Sequence, residues 1–200
     1  MLLHQKLKQQ GVRLILASQS PRRKQIIGDC GLDVRIVKYD VDESYPLTLK
    51  AEDIPLYLAQ LKADNYPHEL QPSEIIITAD TVVISRGEIL GKPRSLDHAR
   101  EMLSRLSGEE HLVVTGVSLR SHTKQHGFSV TTKVRFAQLT REQIEYYVDT
   151  YSPLDKAGSY GIQEWIGYVG IESIEGSFYN VMGLPIHVLC RELEAFTEQK

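Results

Sequence analysis

The chain has little of what usually announces a function. Its two cysteines, Cys30 and Cys190, stand far apart and fit neither a CxxC pair nor zinc-ligand spacing. Each falls in a segment of helical pattern and reads as a small buried apolar residue. No apolar run approaches the roughly 20 residues that a membrane helix needs. The opening residues, Met1-Leu2-Leu3-His4 and then polar ones, show no secretory pattern, so a reduced cytoplasmic home is the expectation. Neither charge dominates: 23 Lys and Arg face 26 Asp and Glu, a net charge of -3. A general nucleic-acid binder would carry a strong basic excess, so that class drops out, although a local basic pocket does not. The seven histidines form no HExxH, and GxSxG, Walker A and GxGxxG sequences are all absent. P-loop and dinucleotide folds are therefore excluded, and no catalytic triad stands out. There is no internal repeat and no low-complexity segment.

What is present is an ordinary globular composition, 42% hydrophobic and 24% charged over 200 residues. That length suits a single domain spanning 1–200 with a core of its own, and a second lobe of about 92–150 while both termini return to the first. The pattern predicts strands at 13–17 and 34–37, a helix over 21–30 closed by Gly31, and an amphipathic helix over about 51–65. The run Glu74-Ile75-Ile76-Ile77-Thr78-Ala79 suits a sheet centre covered on both faces, and it continues into Asp80-Thr81-Val82-Val83-Ile84. A turn at Ser85-Arg86-Gly87-Glu88 follows. A helix then runs from Ser95 to Gly108, and two long strands lie near 111–121 and 127–138. Thr140-Arg141-Glu142-Gln143 is a capping box opening a helix to about Val148. A glycine-rich loop spans 152–163, a strand lies near 168–174, and Pro185 opens a last helix. This order predicts an α/β fold with a mixed, curved central sheet flanked by helices, in two lobes with a cleft.

The most informative segment is Leu14-Ile15-Leu16-Ala17-Ser18-Gln19-Ser20-Pro21-Arg22-Arg23. Ser20 can cap a helix whose first position suits Pro21. The free N–H groups of that turn, the hydroxyls of Ser18 and Ser20 and the guanidinium groups of Arg22 and Arg23 would converge on an anion, a phosphate first of all. A plain strand–helix junction with solvated arginines would leave the same trace. Asp80 ends an apolar strand, where open α/β sheets bind ligands, and a carboxylate there needs a partner; a capping role at the junction is the alternative. Asp40, Asp42 and Glu43 form an acidic loop of the oxygen donors that hard divalent cations take, or a solvated loop. Lys62 and Lys92 could reach triphosphate oxygens as point charges or stand in solvent. In Asp155-Lys156-Ala157-Gly158-Ser159-Tyr160-Gly161-Ile162-Gln163, the amide of Gln163 offers donors and an acceptor to a base edge, unless the loop is purely structural. Gly176 to Pro185 reads as a junction that positions the last helix. Tyr146, Tyr147, Tyr151 and Trp165 read as core or interface aromatics.

Together these segments resemble the Maf family of nucleoside triphosphate pyrophosphatases, from Leu14 to about Leu189. The motifs are Leu16 to Arg23, Ala79-Asp80-Thr81-Val82-Val83, Leu90-Gly91-Lys92-Pro93, Asp155 to Gln163, and Gly176 to Pro185. The resemblance implies a fold related to inosine triphosphatases, a cytoplasmic homodimer and a link to septum formation. The Asp-Lys-Ala-Gly-Ser-Tyr-Gly-Ile-Gln run looks like the subgroup acting on dTTP and UTP, and on modified pyrimidine triphosphates. Hydrolysis would give the monophosphate and pyrophosphate, making the chain a hydrolase of phosphoric anhydrides; a nucleotide-binding regulator of division with little turnover is the alternative. Asp80 matches the proton acceptor, and Arg22, Thr81 and Gln163 match positions linked to substrate choice. Ser18, Glu43, Lys62 and Lys92 match polar pocket positions. A divalent cation, Mg²⁺ or Mn²⁺, would be held by Glu43 and Asp80. The partners implied are the nucleoside triphosphate and a second copy of the chain, with neither nucleic acid nor membrane. Glu164 departs from the family, many members of which have glycine after the Gln.

Overall fold

The computed structural model describes residues 1–198. In chain order the elements are α1 (Leu3–Gln9), β1 (Arg13–Ala17), α2 (Pro21–Asp29), β2 (Val34–Val37), α3 (Ile54–Asp64), β3 (Glu74–Ser85) and β4 (Glu88–Leu90). There follow α4 (Leu96–Leu106), β5 (Glu110–Arg120), β6 (Gln125–Phe136), α5 (Arg141–Tyr151) and a 3-10 turn, Ala157–Ser159. The chain continues with α6 (Trp165–Gly170), β7 (Ile171–Glu175), α7 (Phe178–Val181) and α8 (Ile186–Glu198). The strands pair in the order β2-β1-β3-β5-β6-β7, with β4 on β3, giving an open seven-stranded mixed sheet with flanking helices. The fold is thus the mixed α/β one expected.

Four segments differ from the sequence reading. The strand placed near 168–174 starts later, because α6 occupies Trp165–Gly170 before β7 begins at Ile171. Gly167 lets that helix close up: a Cβ there would lie 1.8 Å from the Ile162 carbonyl oxygen. The turn at Ser85–Glu88 carries a short strand beyond it. Arg86 and Gly87 both take positive φ, 53° and 79°, the geometry of a two-residue hairpin, and Ser85 pairs with Glu88. The helix α1 and the one-turn α7 lie where no helix is predicted from the pattern.

The chain forms two compact units: Met1–Asp80 with Thr115–Val130 and Gly183–Lys200, and Thr81–Val114 with Thr131–Met182. In the first, β1 lies between β2 and β3, parallel to both, with Ala17 opposite Val37 and Thr78. Leu14 to Ala17 are all buried, as a strand covered on both faces requires. Ile15, Ala17, Tyr66, Leu70 and Ile76 form a core cluster, with Val37 and Tyr39 packed against it. Helix α3 comes so close to β5 that only glycine fits at 116: a Cβ there would sit 2.2 Å from the Leu56 nitrogen. In the second unit, α4 buries Ala99, Met102, Leu103 and Leu106 and packs on α5. The capping box at Thr140 is formed in full, Thr140 accepting from the Gln143 N–H and Gln143 from the Thr140 N–H.

The cysteines correct the sequence reading. Cys30 is exposed at the C-terminal cap of α2, not a buried apolar residue, and Cys190 is half-buried on α8. Their Sγ atoms are 3.6 Å apart, a proximity that distance along the chain conceals.

Candidate active site

In the first unit the site grows from three adjacent structures. Strand β1 ends at Ala17, opposite Thr78, so Ser18 and Asp80 lie just beyond the paired stretch. Asp80 is not at the end of a strand, as the sequence suggested, but inside β3, which runs on to Ser85. Ser20 caps α2, its Oγ accepting the Arg23 N–H, while the Ser18 Oγ accepts the Ser20 N–H. Pro21 stands in the first turn, as its missing donor predicts. Arg23 ties this turn to the strand: Nε donates to the Gly183 carbonyl at 2.7 Å and Nη1 to the Ala79 carbonyl at 2.9 Å. Burial lowers the Arg23 pKa from its ordinary value, the Asp80 charge opposes this, Arg22 adds to it and Glu43 opposes it. An arginine remains charged throughout, so it places a fixed positive charge behind Asp80.

Lys62 is set by a second group of contacts. Tyr39 donates its hydroxyl to the Lys62 carbonyl, Thr78 donates to the Ala59 carbonyl at 2.6 Å and Arg120 donates to the Ala63 carbonyl at 2.6 Å. These three side chains hold the C-terminal half of α3 to its neighbours. From that base the Lys62 ammonium lies 2.7 Å from Asp80 Oδ1 and 3.0 Å from Glu43 Oε1. The lysine and Asp80 side chains are only 17% and 15% exposed, while Glu43 is 53% exposed. The inner ion pair is thus shielded from solvent and the outer one screened by it. Of the acidic loop only Glu43 joins the lysine: Asp40 accepts from Gln19, and Asp42 accepts the Ser44 N–H. Arg22, half-buried on α2, is close enough for its charge to act on Arg23.

The second unit carries Thr81, Lys92 and Gln163. Thr81 is half-buried and follows Asp80 directly along β3. Lys92 is exposed, and the preceding Gly91 is fixed by its carbonyl accepting the Gly158 N–H at 3.1 Å. The Gln163 Oε1 is buried and has no hydrogen-bond partner. Around that residue lies a network which sequence reasoning missed. The Lys156 ammonium sits 3.1 Å from Glu164 Oε1 and 2.8 Å from Asp155 Oδ1. The Tyr147 hydroxyl donates to Glu164 Oε2 and accepts the Gly161 N–H at 2.9 Å. Burial, then the bond to Glu164, pushes the Tyr147 hydroxyl far above its ordinary pKa, so it stays a donor. The departure at Glu164 from the family pattern was the one trace of this network in the sequence. The clamp on Lys62 left no trace at all.

The class this fold and geometry define is an α/β protein in which a central strand, a loop and two helices bring Asp80, Glu43, Lys62 and a helix N-terminus together. The profile of the Maf-like protein family matches residues 13–196, and the chain belongs to that family. It is similar to a dTTP/UTP pyrophosphatase of Bacteroides fragilis, 54% identical over 184 residues, which cover 91% of this chain and 95% of that one. A dTTP/UTP pyrophosphatase of Porphyromonas gingivalis is 51% identical over 191 residues, covering 93% and 95%. Among solved structures, the Ham1 protein of Staphylococcus aureus shares the fold, at 16% identity and a TM-score of 0.51 over 92% of this chain and 98% of that one.

Proposed function

We propose that this protein is a nucleoside triphosphate pyrophosphatase that hydrolyses dTTP and UTP, with modified pyrimidine triphosphates as further substrates, to the monophosphate and pyrophosphate. The observation that carries the reading is the shielded Lys62 shared by Glu43 and Asp80 beside the N-terminus of α2, in a chain 54% identical to a protein named for that activity. Asp80 is the only one of the two carboxylates largely withdrawn from water, which suits a base that accepts the proton of the attacking water. Water attacks the α-phosphorus, the bond to the bridging oxygen breaks, and pyrophosphate leaves with the electron pair. Lys62, Arg22 and the positive end of α2, where Ser20 caps the first turn and Ser18 holds the Ser20 N–H, neutralise phosphate charge. Arg23 holds that turn against the Asp80 strand through backbone carbonyls. Lys92 meets further phosphate oxygens. Thr81 and Gln163 read the base, the Gln163 amide having both donors and an acceptor for a base edge.

The residues fit a divalent cation. Two carboxylates already face one positive charge, and Mg²⁺ takes one or two carboxylates together with substrate phosphates. Among the described residues no cluster of three or more His, Cys, Asp or Glu builds a closed metal site, so phosphate oxygens would complete the coordination. Glu43 and Asp80 would hold Mg²⁺ or Mn²⁺, whose chemistry there is neutralisation of the triphosphate charge. Among the described residues no helix is long and apolar enough to cross a membrane. Membership of the family extends the reading to a cytoplasmic homodimer linked to septum formation.

The test is pyrophosphate release from a panel of nucleoside triphosphates, with Mg²⁺, with Mn²⁺ and with chelator, for wild type and Asp80→Asn. The expected result is metal-dependent release favouring dTTP and UTP, with kcat lowered about 10²- to 10⁴-fold in the variant and nucleotide affinity changed far less. Tight binding without release from any nucleotide would leave a regulator in place of an enzyme.

A further inference from the structure

The two ends of α2 have different neighbours along one line. Its first turn carries the Ser20 cap and Arg23, and its C-terminal cap is Cys30. Arg23 and Cys30 stand seven positions apart, about two helical turns, and so share one face of the helix. From that face Arg23 donates to the Gly183 carbonyl at 2.7 Å. Cys190 lies seven positions beyond Gly183, and its Sγ is 3.6 Å from that of Cys30. The segment 183–190 thus runs alongside α2, held by an arginine at one end and touching it through sulfur at the other.

Two thiols in contact could hold a metal or form a bond. A structural zinc site takes four ligands, and among the described residues no group of three or more His, Cys, Asp or Glu is placed to hold a metal ion. A covalent bond needs only the two sulfurs, brought from 3.6 Å to about 2 Å. The surroundings leave room for that movement. Cys30 is exposed, and a Cβ at Gly28 or Gly31, on either side of it, would meet nothing within 4 Å. Cys190 is half-buried on α8, so a reagent reaches Cys30 first. An accessible thiol backed by a second thiol is the arrangement of a sulfur that reacts and a sulfur that resolves.

We propose that Cys30 and Cys190 are a redox-active dithiol, which a peroxide converts to a reversible disulfide that staples the C-terminal end of α2 to α8. The Cys30 thiolate attacks one oxygen of hydrogen peroxide, the O–O bond breaks, and hydroxide leaves and takes up the proton that Cys30 released. The sulfenic acid so formed is attacked at sulfur by Cys190. The S–O bond breaks, and the hydroxyl departs with the Cys190 proton as water. Two thiols and one peroxide thus give one disulfide and two waters, the sulfurs losing the two electrons that the peroxide oxygens gain. Burial keeps the Cys190 thiol protonated, a poor nucleophile toward reagents in solution. Against a sulfur already in contact, proximity makes up the difference. The bond closes a loop of 160 positions, which restricts the unfolded chain. It also stops the oxidation of Cys30 short of the irreversible sulfinic and sulfonic acids.

The test exposes the whole protein to hydrogen peroxide and compares non-reducing peptide maps of wild type, Cys190→Ser and Cys30→Ser. In wild type the peptides carrying residues 30 and 190 should be joined within one chain, and dithiothreitol should separate them. In Cys190→Ser, Cys30 should gain oxygen and pass on to the sulfonic acid. In Cys30→Ser, Cys190 should remain a free thiol. The melting temperature of wild type should rise by about 5 °C or more on oxidation and return on reduction, with no such rise in either variant. Accumulation of oxygen on Cys30 in wild type, as in Cys190→Ser, would overturn the proposal, and so would a disulfide joining two chains. A joined pair with an unchanged melting temperature would overturn the staple. The wild-type map decides the matter even where a variant fails to fold. No readout requires turnover, so the outcome is independent of the proposed pyrophosphatase activity.

Discussion

At the scale of the residue, the groups that matter are those whose surroundings fix their protonation or their direction. His111 is 2% exposed, 2.7 Å from the Tyr160 hydroxyl and stacked on Phe136. Burial lowers its pKa from 6.5 to about 4. The unfolded chain therefore takes up a proton first as the pH falls, and stability drops between pH 6.5 and about 4. The loss should reach about 3 kcal/mol. Urea unfolding of wild type across that range should show this slope, and His111→Gln should lack it. The paired cysteines are unequal. Burial first, and the bond to Cys30 second, raise the Cys190 thiol to about 12, so it stays protonated and unreactive, while Cys30 is exposed to reagent. Iodoacetamide at mildly alkaline pH should label Cys30 in the folded protein and Cys190 only after denaturation, as peptide mass mapping would show. Legibility in the sequence follows the range of each interaction. The Ser20 cap and the Thr140 capping box could be read because their partners lie three residues away. The Tyr39, Thr78 and Arg120 bonds to the end of α3 could not, since each joins a carbonyl that any residue would have supplied. The 3.6 Å approach of the two sulfurs was equally hidden.

At the scale of the element, the central strands were legible and the short helices were not. The unbroken apolar run from Ile75 to Ala79 is what a strand with both faces covered requires, and Asp80 at its end was marked by its cost. The six-residue α6 and four-residue α7 are too short to display a helical period, and tertiary contacts decide them. Asp80 and Lys62 could each be singled out, but their meeting depends on how α3 seats beside β3. Gly116 controls that seating. A methyl group there would sit within 2.4 Å of the Leu56 backbone, and backbone cannot step aside as a flexible side chain can. Gly116→Ala should destabilise the protein by about 3 kcal/mol and lower turnover through the displaced Lys62, measurable as a fall in Tm with a parallel loss of pyrophosphate release. A Tm within a degree of wild type would show that α3 has slack.

At the scale of the whole molecule, the two units share their strands. The unit boundaries fall between Asp80 and Thr81, Val114 and Thr115, and Val130 and Thr131, within β3, β5 and β6. Neither unit is a continuous stretch of chain, so neither retains its strands without the rest. Calorimetry should therefore show one transition, with calorimetric and van't Hoff enthalpies in agreement; two resolved transitions would show that the units melt separately. No composition shift marked these boundaries in the sequence, because a strand that crosses a boundary keeps its apolar pattern on both sides. The same crossings bear on how such a protein can be inherited. A recombination breakpoint at any of these boundaries severs a strand in mid-course, so neither unit can travel between genes as a finished cassette. A change of specificity must then come by replacing side chains around an intact framework.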